Sequence, residues 1–244
     1  MTTTRGRAAR LFTVAALAVV TVGGCGVVRG GGRAVDTADV LGGFAERLSE
    51  GQQSVHTATY RVAGDGPVTV ARRGPESAFR TDRALLIVTA EHLVRCREAS
   101  CERAPASVRA AADALADIAG PGFVTLETAL STVAAAALTP GAKAKPVRQT
   151  IAGHESDCVE VTGLAAAGPG ASGPPAPDPA APAVPGDFTV CLTDTDVLAL
   201  FRGTLATGRP VEVELTRLTW AAAASSFTPP PDAVVTDVPA LTAG

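Results

Sequence analysis

The side chains best suited to chemistry in this 244-residue chain are its three histidines, its closely spaced acids and its five cysteines. His154-Glu155-Ser156-Asp157 is the one polar cluster with the makings of a cation site. It follows Gly153 between two strand-like runs, which reads first as a solvated hairpin turn. His56 and His92 are isolated. Glu212 and Glu214 lie two apart on a strand-like run and so share a face. A carboxylate pair can be built that way, although alternating charge on a solvent face is the ordinary explanation. No Gly-x-Ser-x-Gly elbow, phosphate-cradling Walker loop or His-Glu-x-x-His pair occurs. The sequence therefore predicts no catalytic residue, no metal site, no cofactor and no enzymatic activity.

The cysteines point to an address and a redox state. Arg5, Arg7 and Arg10 precede an apolar run over residues 11–22, then Gly23, Gly24 and Cys25. A basic start, an apolar middle and small residues make a secretory signal. The middle is too short for a spanning helix, which needs about 20 residues. Four cysteines remain beyond Cys25, an even number in an exported chain, which reads as disulfides. Of three connectivities, Cys96–Cys101 and Cys158–Cys191 are expected. The first pair is close enough to staple one loop. In the second, Val159, Val161, Phe188, Val190 and Leu192 set the apolar phase, and Cys158 and Cys191 take the opposite one. On neighbouring antiparallel strands both thiols would then meet on the outer face. A zinc site is the poorer alternative, since there is no Cys-x2-Cys and no paired histidine.

Val22-Gly23-Gly24-Cys25 resembles the lipobox of bacterial lipoproteins. The resemblance implies diacylglyceryl transfer to the Cys25 thiol and removal of residues 1–24. The implied localisation is the extracytoplasmic face of the cell membrane, with the lipid anchor as the membrane contact. Residues 25–34, rich in glycine with Arg29 and Arg33, would form a flexible tether. The remaining 220 residues carry 18 basic against 24 acidic side chains, a formal charge of −6. Nucleic acid is an unsuitable partner for such a surface. Lysine occurs only at 143 and 145, and the Ala, Gly, Val, Arg and Pro bias is similar to that of high-GC actinobacterial proteins.

The elements that must position these residues fall into blocks. Asp36 caps a helix with Val40, Leu41, Phe44 and Leu48 on one stripe. Alternating strands follow through residue 96, including A-L-L-I-V-T-A, apolar on both faces and therefore expected to be covered on both. Ser107 caps a helix carrying Val108, Ala111, Leu115 and Ile118, stopped by Gly120-Pro121. Thr125 caps another carrying Leu126, Leu130, Val133, Ala137 and Leu138. Strands resume, interrupted by 165–187, a low-complexity insertion with seven prolines that is expected to be disordered. In the last long run Val211, Val213 and Leu215 share one phase and Leu218 and Trp220 the other, which calls for a bulge near Thr216–Arg217. Phe188 and Trp220 are assigned to the core.

The expected architecture is one α+β domain over residues 35–232, a large antiparallel sheet with helices on one face, and a tail at 233–244. Element order and anatomy resemble the LolA-like and LppX/LprG-like envelope lipoproteins, which implies a curved half-barrel enclosing a lipid-sized apolar cavity. Many alanines and few aromatics (4%) fit either such a cavity or a tightly packed small-residue core. Two functions follow: a lipid-anchored protein binding a lipid or other apolar ligand, or a non-enzymatic interaction module with a filled core. No residue is singled out for ligand contact. A continuous apolar cavity of several hundred Å³ would favour the first.

Overall fold

The computed structural model describes residues 36–164, 186–205 and 208–241. The signal at 1–24, Cys25 with its tether, and all of the proline-rich insertion but Gly186 and Asp187 lie outside them.

The described chain is α+β, with three α-helices and one open twelve-stranded sheet. Helix α1 (Thr37–Gly51) is capped by Asp36, whose Oδ1 accepts from the Ala38 amide at 3.0 Å. It leads into a meander of six strands: β1 (Val55–Val62), β2 (Val68–Arg73), β3 (Glu76–Arg80), β4 (Ala84–Val88), β5 (His92–Arg97) and β6 (Ser100–Pro105). Helices α2 (Val108–Ala119) and α3 (Leu126–Ala137) then carry the chain across one sheet face. Their caps are Ser107 and Thr125, each accepting from the backbone N–H three residues on. A second meander follows: β7 (Lys143–Ile151), β8 (His154–Thr162), β9 (Phe188–Thr193), β10 (Leu198–Thr204) and β11 (Pro210–Thr219). Pairing of β11 with β1 joins the two meanders into one sheet. Edge strand β7 carries Lys143, Lys145 and Pro146, residue types that discourage further pairing.

The bulge falls in β11: Thr59 faces Arg217 and Tyr60 faces Leu215, so Thr216 is the extra residue. Its Oγ1 donates to the Thr59 carbonyl at 3.0 Å. The phase switch read from Leu215 and Leu218 is therefore a real kink. Beyond it Trp220 is 49% exposed, which corrects its assignment to the core; Phe188 is buried, stacked on Phe201.

The tail also needs correcting. Val234–Asp237 form β12, which pairs with β6 in parallel, the one departure from an antiparallel sheet among the described residues. The chain reaches that edge by crossing the outer face, where a 3-10 turn at Ala224–Phe227 sits on β3. Phe227 lies under the Arg73 guanidinium at 4.7 Å. Leu85, Ile87 and Val94 pack on this outer side with Ala222, Phe227 and Ala233, whereas Leu86 joins the helix-side core. The doubly apolar β4 is thus covered on both faces.

Both disulfides are present. Cys96–Cys101 and Cys158–Cys191 are direct register partners across β5/β6 and β8/β9. Gln149 Nε2 lies 3.1 and 3.0 Å from the Cys158 and Cys191 sulfurs. The Leu164 amide bonds to Asp187 Oδ1 at 3.1 Å, so the chain leaves β8 and enters β9 at one place.

Candidate functional site

The residues with the most suggestive spacing do not converge. Along β8 strand alternation puts His154 and Ser156 on one face and Glu155 and Asp157 on the other, and the two acids are engaged by different partners. Glu155 accepts from Thr150, while Asp157 is held by Arg148 (2.8 Å) and Arg47 (3.0 Å). Arg47 also bonds Asp196 and the Thr193 carbonyl, which clamps α1 onto the β9–β10 turn. Gly51 permits the approach, because a Cβ there would collide with the Asp196 backbone. Glu212 and Glu214 pair separately with Arg202 and Arg61. The hydrogen bond from Arg202 holds the Glu212 carboxyl below its ordinary pKa, outweighing the effect of desolvation.

What the fold builds instead is a space beneath α2. In the second meander α3 seats Leu126, Ala129, Thr132, Val133 and Ala136 against α1 and the sheet. In the first, α2 buries only Ala114 and Ala119; Leu115 and Ile118 are half-buried, and Val108 is 91% exposed. Asp117 near its C-terminus bonds Arg95 (3.0 Å) and Arg97 (2.5 Å) of β5. Its end turns at Gly120, whose φ of 80° is strained for any residue with a side chain. The helix is thus fastened at one end and raised at the other.

Between α2 and the sheet lies a cavity of about 740 Å³, open to solvent. Phe79, Val88, Leu93, Leu115 and Phe123 line it, with the alanines of α2 above. The volume is within the roughly 300–1,000 Å³ typical of ligand sites. Its polar margin is Ser77, Thr89, Thr125, Thr128, Glu127 and Arg72. A second cleft of about 770 Å³ beside it is lined by Arg80, Asp82, Arg83, Arg97, Glu98 and Asp117, a charged and hydrated surface poorly suited to an apolar ligand.

At the buried margin of the apolar cavity stands a polar group set that sequence reading missed. Arg72 shares the helix-side face of β2 with Val68 and Val70, and is only 6% exposed. Its Nη2 donates to Glu127 Oε1 at 2.7 Å. Burial raises the Glu127 pKa, but the Arg72 charge and hydrogen bond prevail and hold it below the ordinary value. His56 is fully buried with Nδ1 2.8 Å from Ser54 Oγ; desolvation and then the Arg72 charge lower its pKa to about 4. Burial pushes the Tyr60 hydroxyl well up, Arg72 opposing and Glu127 reinforcing. The one available signal was phase: Arg72 continues the Val68, Val70 alternation, and T-V-A-R-R looks like an ordinary strand end.

The chain matches no protein-family model and no curated protein. Among solved structures, an uncharacterized conserved protein from Thermus thermophilus is similar at 6% sequence identity with a TM-score of 0.45, over 82% of this chain and 99% of that one.

Proposed function

We propose that the chain is a lipid-anchored protein of the extracytoplasmic face of the cell membrane, acylated on Cys25, whose LolA-like domain holds an apolar ligand, a lipid, beneath α2. The observation that carries this reading is the cavity of about 740 Å³ between α2 and β2–β5. Apolar walls of that extent would lower the cost of holding an acyl chain outside the bilayer, at about 0.8 kcal/mol per buried CH₂. An interaction module with a filled core would instead pack α2 as α3 is packed. Lipobox and tether support the anchor, with the membrane as partner through the lipid. Replacing Cys25 with Ser is expected to abolish acylation, and an acylated variant would refute the anchor. The ligand is tested by extracting residues 34–244, purified from the native envelope without detergent, and identifying lipid by mass spectrometry. Stoichiometric lipid is expected; a stably folded, lipid-free protein would count against the reading.

A further inference from the structure

We infer that the ligand is an acidic amphiphile whose anionic head is drawn to Arg72, with Glu127 as the intramolecular anion that the head displaces. This rests on the proposed apolar ligand and adds the chemistry of its head group. Arg72 lines the cavity and is more than nine-tenths buried. Its Nε is closed to solvent and has no hydrogen-bond partner among the described residues. Nη1 has only a long contact to the Gln52 carbonyl at 3.4 Å, so Glu127 is the sole charged partner among them. A guanidinium stays protonated, and a buried donor left unpaired is costly, so a further acceptor at this place is favourable.

Two features fit that acceptor to a ligand. Glu127 reaches Arg72 with a side chain 51% exposed. It can therefore leave Arg72 for water and recover hydration, whereas Arg72 is fixed. A small void of about 20 Å³ adjoins the main cavity through Arg72, Phe79, Phe123 and Thr125; its walls are mostly apolar, with His56, Tyr60, Arg72 and Thr125 as the polar groups on it. That volume accommodates about one oxygen atom. The start of α3 adds its positive dipole end at Thr125–Glu127. Arg72 and the helix start thus favour negative charge at the buried end, the void leaves room for an oxygen beside the guanidinium, and Phe79, Leu93 and Leu115 receive the chain.

The test uses the full chain in phosphatidylcholine nanodiscs with photoreactive hexadecanoic acid and the chain-matched hexadecanol, reading crosslink yield against probe concentration. The acid is expected to bind about tenfold or more tightly than the alcohol, relative to the same ratio in Arg72→Gln. Glu127→Gln is expected to raise affinity for the acid and leave the alcohol unchanged, a readout that remains if the Arg72 variant misfolds. Equal binding of both probes, or a Glu127→Gln variant that binds the acid no better, would overturn the head-group assignment while leaving an apolar ligand intact. Binding of neither probe would overturn both.

Discussion

The two halves of the sheet are built alike and packed differently. Over β7–β11, α1 and α3 lie side by side, and Leu41, Leu48, Ala129, Val133 and Ala136 are wholly buried. Over β2–β5, α2 stands across the cavity from the start of α3, buries only Ala114 and Ala119 and is tied to β5 through Asp117. One half is closed by apolar packing, the other by a sparser apolar contact and an ionic tether that leave space beneath. On the proposed function, stability and binding fall to separate ends of one sheet.

Truncation should separate the halves most sharply. Phe201, fully buried and stacked on Phe188 at 5.7 Å, is expected to cost about 3–5 kcal/mol as Phe201→Ala. Half-buried Leu115→Ala should cost about 1 kcal/mol or less, since the cavity already lies against it. Urea unfolding measures both, and similar losses would erase the contrast.

The disulfides follow the same division. Cys158–Cys191, spanning 33 positions in the packed half, should contribute about 4 kcal/mol, and Cys96–Cys101, spanning five, about 2 kcal/mol, on the loop-entropy scale. Paired Cys→Ala variants compared by urea unfolding test the order.

His56 sits where the halves meet, on β1. Its folded pKa of about 4 lies below the unfolded value near 6.5, so the unfolded chain binds the proton first. Its contribution is present in full above pH 6.5 and is lost as pH falls from about 6.5 to 4, on the order of 3 kcal/mol. A His56→Gln variant should lack that slope in unfolding free energy across this window. The lowered carboxyls of Glu127, Asp157, Glu212 and Asp237 act in the same direction, at lower pH.

The finest contrast is also the most specific. Ala129→Leu in α3 must overpack a fully buried site and should destabilise by about 1–3 kcal/mol. Ala111→Leu in α2 points to open cavity and should shift stability by no more than about 0.5 kcal/mol. Thermal unfolding distinguishes them.

Much of the fold was legible because its signals are local. Asp36, Ser107 and Thr125 each cap the helix they announce, and the opposite phase of Cys158 and Cys191 led to their bond. The phase break after Leu215 located the bulge at Thr216. Non-local features escaped. Nothing in V-V-T-D announces a strand parallel to β6, because that pairing follows from the path across the outer face. Leu138 continues the α3 stripe yet is 83% exposed, since the helix ends at Ala137 and turns it outward. The α2 stripe reads like that of α3, yet α3 packs along α1 whereas α2 buries only two alanines, a difference of tertiary placement. The Arg72–Glu127 pair is equally hidden, being 55 residues apart in sequence.

The most direct test of a hollow half that carries the ligand is the lipid-to-protein ratio, by mass spectrometry, of the native protein and of Ala111→Phe, both with unchanged thermal unfolding. Stoichiometric lipid in the first and its loss in the second is the predicted result. Lipid retained in the variant, or absent from both, would contradict the assignment of the ligand to the space beneath α2.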